Sequence, residues 1–181
     1  MGVLESRAGE GTFLALNPDK FLGRVMGWRV ATDRKNMENL MTVRLALETE
    51  TASHAALNPT EEQIHELEDA VEKMAGLFAK PEDFVKADVA FHLVIAKVSA
   101  NDLIFDLLNL IRGQLQHAFS SIGGWPRTPE VSNDEHRGIV EAIRGRDPES
   151  ARRLMREHIE KGLQRYQQRD LSEEPGGKAH E

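Results

Sequence analysis

The chain has 181 residues, with 23 basic against 30 acidic side chains and a formal charge of −7 when histidines are neutral. Its length suits one domain with a proper core, and its acidity argues against a nucleic-acid-binding surface spread over it, which would be basic. Cysteine is absent, which excludes a disulfide framework and thiolate metal sites; neither a membrane span of roughly 18 apolar residues nor a secretory signal core is found, so the expected compartment is the cytoplasm.

The first 35 residues read differently from the rest. ESRAGEGTFLA, with glycines two apart and then Thr-Phe-Leu, suggests the end of a small β-hairpin. Residues 1–17 are assigned to that remnant and 18–35 to a linker or short helix. The GxG there lacks the strand–helix context of a nucleotide fingerprint. From residue 36 onward apolar residues recur at helical spacing, with no convincing strand alternation. A first helix is expected from about Asn36 to Ala56, with Leu40, Val43 and Leu47 on one side. NPTEEQ ends it. Thr60 is the expected N-cap of a second helix, Gln63 completes a capping box, and Ile64, Leu67, Val71, Met74 and Phe78 carry the helix to about Ala79. Pro81 suits the first turn of a third helix, because its missing N–H has no intrahelical partner there; this helix runs to about Ala100. Asn101 punctuates it, and LIFDLLNLIRGQLQHAF forms a fourth. The loop SIGGWPRTP is the clearest break. A fifth helix spans about Val131 to Arg144 and stops at Gly145. Asp147 as N-cap and Pro148 at the first helical position start a sixth, which reaches about Gln168. Residues 170–181 read as a flexible tail. The expected fold is all-α, an antiparallel bundle of six to seven helices over residues 36–169, with the hairpin remnant in front.

Within the third helix, DVAFH sets Asp88 and His92 four positions apart, on one face. The same stripe carries Phe84, Phe91, Ile95 and Val98, so it should point inward. An ionised carboxylate there needs a partner, because desolvating it alone costs too much. His136 lies on a stripe with Ile139, Val140 and Ile143, and His158 on one with Ala151, Leu154, Met155 and Gly162. In an antiparallel bundle three such stripes can converge, giving one carboxylate and three imidazoles. That set suits a divalent metal, with zinc as the leading candidate ahead of nickel, iron and manganese. A single histidine on an apolar face is more often a hydrogen-bonded core residue; three of them plus a carboxylate, on separate core stripes, weaken that bland account. His54, His65, His117 and His180 read as surface or tail residues. Glu62-x-x-His65 resembles half of a di-iron motif, but the second half and the extra glutamates are missing.

Arg44 lies between Leu40 and Leu47 on the first helix. Its guanidinium could reach the interior and bind a carboxylate through two parallel hydrogen bonds, or it could simply pair with Glu48 at i,i+4 for a few tenths of a kcal/mol, an estimate of about 0.2–0.5. Trp125, in the Gly/Pro-rich loop, is either a lid over a pocket or a packing residue.

Taken in order, VRLALETETASHAA, DVAFHLVIAKVSANDLI and EHRGIVEAIRGRDPESARRLMREHI resemble the ligand-binding domain of GntR-type transcription regulators. The matching branch is the FadR-like one, whose effector module is the FCD (FadR C-terminal) domain. The likeness covers roughly Asn39 to Arg165. Its most specific part is D-x3-H followed by histidines 44 and then 22 residues further on. The resemblance implies an all-helical bundle, often a homodimer, with a central metal in many members. It implies that Asp88, His92, His136 and His158 hold that ion, and that a small organic acid or sugar acid takes its open positions. RLALE matches the family's R-x-x-L-E signature, which gives Arg44 the effector's carboxylate; Trp125 is added as a second effector-binding candidate. Fatty-acyl members lack the full metal set kept here, so a small carboxylate is favoured over an acyl thioester. SRAGEGTFLA resembles the tail of the winged helix-turn-helix that precedes this domain in the family. Its recognition helix would lie upstream, so DNA contact would come only through that N-terminal module of the intact protein.

The function expected is therefore effector sensing for a transcription regulator, without enzymatic activity. A metal-dependent hydrolase is the alternative, since an open metal site can activate water. Against it, no further carboxylate looks placed as a base: Glu135 adjoins His136 but is displaced by about 100° around the helix and is expected to face elsewhere. A third reading closes four protein ligands around a purely structural metal.

Overall fold

The computed structural model describes residues 4–7, 11–14, 34–121 and 128–173. Strands β1 (Leu4–Arg7) and β2 (Gly11–Leu14) pair antiparallel, with Leu4 opposite Leu14 and Arg7 opposite Gly11. This is the hairpin that GEGTF suggested. Gly11 has a φ of 106°, a conformation that a residue with a Cβ adopts only under strain. Among the described residues six helices follow: α1 (Arg34–Ala55), α2 (Glu61–Ala75), α3 (Pro81–Val98), α4 (Asp102–Ser121), α5 (Pro129–Arg144) and α6 (Pro148–Glu173). Among the described residues no helix is long and apolar enough to cross a membrane.

The helix starts follow the sequence signals. Thr60 Oγ1 accepts from the Gln63 N–H at 3.3 Å while the Gln63 side chain accepts from the Thr60 N–H at 2.9 Å, a complete capping box for α2. Asn101 accepts from the Ile104 N–H at 3.1 Å and Asp147 from the Ser150 N–H at 3.0 Å. Prolines occupy the first turns of α3 and α5.

The ends depart from expectation. α2 stops at Ala75, and residues 76–79 form a turn rather than more helix. Gly76 caps the helix, its N–H bonding back to Glu72 O at 3.4 Å; Pro81 acts only on the residue before it, where Lys80 has φ −128° and ψ 79°. α5 begins at Pro129, ahead of its first apolar residue. α3 ends at Val98, and α6 continues to Glu173.

α1 packs most extensively along α6 and also touches α3, α4 and α5, so it is the hub of the bundle. α2 lies on α3 and α5, α3 on α4, and α5 on α6. Leu67, Met74, Phe84, Phe91, Ile95, Ile139, Ile143 and Met155 are fully buried and form the centre of the core. Each such side chain contributes about 1.5–3 kcal/mol by leaving water. Beside this apolar centre runs a buried polar seam, with Arg44 and Glu48 from α1, Asp88 and His92 from α3, His136 from α5 and His158 from α6. The hub position of α1 is what forces its polar residues inside.

Candidate metal and effector site

Asp88, His92, His136 and His158 are all buried, and one potential ligand atom from each lies within 4.8 Å of all the others. His136 Nε2 sits 3.2 Å from His158 Nε2 and 3.2 Å from Asp88 Oδ1. Ligand atoms held about 2.0–2.1 Å from one ion stand about 2.8–3.4 Å apart, from cis-octahedral to tetrahedral arrays, so these separations suit a shared cation. Both Asp88 oxygens, His92 Nε2 and His136 Nδ1 are buried without a well-aligned hydrogen-bond partner. Buried polar atoms are nearly always satisfied. Their concentration at this one cluster, with a donor set of one hard oxygen and three imidazoles, fits a divalent metal.

Two of the imidazoles are backed by a carboxylate that an arginine grips in turn. His158 Nδ1 lies 2.8 Å from Glu135 Oε2, and both Glu135 oxygens accept from Arg165 at 3.1 Å. His92 Nδ1 lies 2.6 Å from Glu48 Oε2, though off the line of a hydrogen bond. Glu48 accepts from Arg44 Nε at 2.6 Å and from Nη2 at 3.2 Å. A carboxylate on the far nitrogen fixes which nitrogen of a histidine faces a metal and raises its basicity. The remaining guanidinium nitrogen, Arg44 Nη1, meets the Met41 sulfur at 4.0 Å as its one hydrogen-bond partner among the described residues.

The protonation states suit ligation. Burial, reinforced by His136 nearby, pushes the His158 pKa down to about 3 against the pull of Glu135. Burial also lowers His136 despite Asp88. Both are therefore neutral near pH 7, the form that binds metal. For Asp88 burial works against the charge, but the approach of His136 and the nearby His92 and Arg44 outweigh it and hold the carboxyl well below its usual range. Burial likewise opposes ionisation of Glu48 and Glu135. Arg44 with His92, and His158 with Arg165, reverse the effect and bring each to about 2. Arg44 stays charged: Glu48 and Asp88 raise its pKa despite complete burial.

The four residues picked out in the sequence thus come together. Arg44 reaches the interior and pairs there with Glu48 through Nε and Nη2; at 1% exposure for each partner, that pair is no surface contact. Trp125 lies outside the described residues. His54 and His65 are exposed, as is Glu62. Glu135 corrects an expectation. It does sit off the His136 face of α5, but α6 packs on that side and presents His158 to it. The signal was available in α6, where Arg165 stands seven positions after His158 and so on the same stripe. A separate surface cleft between α2 and α5, lined by Glu68, Glu72, Arg137 and Val140 among others, does not include the cluster.

Comparison with known proteins agrees with this architecture. The chain is similar to the transcriptional regulator LutR of Bacillus subtilis, 29% identical over 164 residues that make up 88% of this chain and 75% of LutR. It is 27% identical over 166 residues to the putative L-lactate dehydrogenase operon regulatory protein of Escherichia coli, covering 87% of this chain and 64% of that protein. The repressor NanR of Cronobacter sakazakii is 29% identical over 125 residues, 65% of this chain and 46% of NanR. Among solved structures, a Streptococcus agalactiae GntR superposes with a TM-score of 0.68 at 27% identity, over 92% of this chain and 75% of that one. Fold and relatives together define the class, the helical regulatory domain of a transcription regulator, and give the hydrolase alternative no support. The FCD domain family matches residues 39–161, a span that holds all four cluster residues and Arg44. The chain belongs to the FCD-domain family of GntR-type regulators.

Proposed function

We propose that this chain senses a small organic acid through a divalent metal held by Asp88, His92, His136 and His158, with zinc the first candidate. The observation that carries the reading is the convergence of these four buried groups from three helices, with their polar atoms otherwise short of partners. A bound ion would supply a Lewis-acidic point for a carboxylate oxygen. Arg44 would add the free Nη1 edge of its guanidinium, while Glu48 keeps the other edge and ties it to His92. An acid seated there would engage α1 through Arg44 and, through the metal ligands, α3, α5 and α6. Its effect on a DNA-reading module is limited to the difference between its affinities for the two arrangements of these helices.

In this reading residues 1–17 are the end of a winged helix-turn-helix and 18–35 its link to the sensing domain of residues 36–169. The intact regulator would work in the cytoplasm as a homodimer and contact DNA through its N-terminal modules. The name of the Escherichia coli relative makes L-lactate a sensible member of any test panel. Elemental analysis of chain purified without chelators, followed by calorimetric titration of the metal-loaded protein with small organic acids, tests the proposal. About one divalent ion per chain and saturable binding of at least one acid are expected. A chain that bound no metal and none of the acids would overturn it.

A further inference from the structure

The interior face of α5 carries three polar residues. His136 belongs to the metal cluster, and Ile139, Val140 and Ile143 continue the face as plain core. Ser132 and Asn133 have no such account. Both are 0% exposed, and among the described residues Ser132 Oγ, Asn133 Oδ1 and Asn133 Nδ2 have no hydrogen-bond partner. They stand four and three positions before His136, about 40° and 60° to either side of it at 100° per residue. The two therefore flank the metal-cluster histidine one turn towards the start of α5. Three orphaned polar atoms in adjacent, fully buried residues burden a core, unless something else takes their hydrogen bonds.

We propose that Ser132 and Asn133 read the uncharged end of the effector, and that the site selects monocarboxylates bearing hydroxyl groups. This deepens the effector-sensing reading above and rests on it. A hydroxyl both donates and accepts, and so do the serine hydroxyl and the asparagine amide. Neutral readers suit a neutral group; a second carboxylate would call for a cation.

The test uses the zinc-loaded full chain and calorimetry with matched acids: L-lactate against propionate, D-gluconate against hexanoate, and L-malate as a diacid. At least one hydroxy acid should bind about tenfold or more tightly than its deoxy partner, and malate should bind more weakly than the preferred monocarboxylate. In Ser132→Ala and Asn133→Leu the hydroxy acid should lose about that factor, with the deoxy acid and the zinc content unchanged. The ligand-free variants should melt no lower than the parent, and Asn133→Leu about 2–4 °C higher, because an orphaned amide has gone. A purely structural role would instead lower the melting temperature. The inference is overturned if the variants keep the hydroxyl preference, if they melt lower, or if malate binds best. Failure of every acid to bind the parent would sink the effector-sensing reading and this inference with it. Binding without hydroxyl preference would sink this inference alone.

Discussion

At the level of single residues, the four cluster positions could be found because each breaks an apolar stripe with a group that has no business in a core. The groups behind them were harder to see. Glu48 looked like the far end of an ordinary helix-surface pair, and Glu135 sat on the wrong side of its own helix. A helical wheel tells which way a side chain points but not what another helix brings to meet it, and here α6 brings His158 and Arg165. The backing carboxylate should matter for the metal. Glu135→Gln keeps an acceptor for His158 Nδ1 but loses the charge, and metal affinity should fall about 10–100-fold, measured by competition with a chromophoric chelator, with helicity unchanged. Arg44 and Glu48 invite a different measurement. Removing one member of a buried pair strands the other, so Arg44→Met should destabilise the metal-free protein by about 3–5 kcal/mol. The double variant Arg44→Met/Glu48→Leu, which removes both charges, should recover most of that loss in denaturant titration.

Most helix starts were legible, except that of α5, where the pattern leaves Pro129 in the loop and starts the helix at Val131; ends were uneven, met at Arg144 on α5 but missed on α2 and α6. A start is a local chemical event: Thr60 with Gln63, Asn101, Asp147 and the helix-initiating prolines each announce it within four residues. An end depends on when the chain leaves the helix, which the apolar pattern alone does not fix: on α2 the pattern runs on to Phe78 while the helix stops at Ala75. At the close of α5 the glycine did not take the left-handed position. Gly145 stays helical at φ −69° and Arg146 takes φ 52°. The Arg146 N–H bonds to Ile143 O and the Asp147 N–H to Ala142 O, both at 3.0 Å, closing a Schellman turn with an arginine where glycine is normally found. A Cβ in that conformation costs about 1–2 kcal/mol, against about 0.5–1 kcal/mol for the greater freedom glycine loses on folding. Arg146→Gly should therefore stabilise the domain by about 0.5 kcal/mol or somewhat more, seen as a higher urea midpoint at unchanged slope. Thr60→Ala, which breaks the capping box of α2, should lower stability by about 1 kcal/mol.

For the whole molecule, the bundle ties distant parts of the chain together around one polar point. α1 and α6 form the largest contact in the domain although they stand at opposite ends of it, and Glu48, Asp88, His136 and His158 meet between them. The order of helices and the inward stripes of α2, α3, α5 and α6 were readable, because each carries its own pattern; on α1 the expected stripe failed, since Val43 is 43% exposed. The hub role of α1 was not readable either, since a helix surrounded on several sides has no single apolar face to reveal it. A metal at this point would bind the folded chain alone, so saturating it at about 1,000 times its dissociation constant would add about 4 kcal/mol, or about 8–16 °C in melting temperature for a domain of this size. Without metal the same cluster becomes an acid-labile centre. His158 has a folded pKa of about 3 against 6.5 unperturbed, and His136 is lowered in the same direction. Below pH 6.5 the unfolded chain takes up protons that the folded one refuses, and stability falls as pH falls. Glu48 and Glu135, brought from 4.5 to about 2, act in a lower window. The stability they contribute is present above about pH 4.5 and is lost as pH drops through their folded values. In chelator, then, the melting temperature should hold steady from pH 8 to pH 7, decline from about pH 6.5, and decline more steeply below about pH 4.5. A profile that stayed flat down to pH 4 would mean that these histidines are not buried in their neutral form, and that the four groups do not meet in the interior.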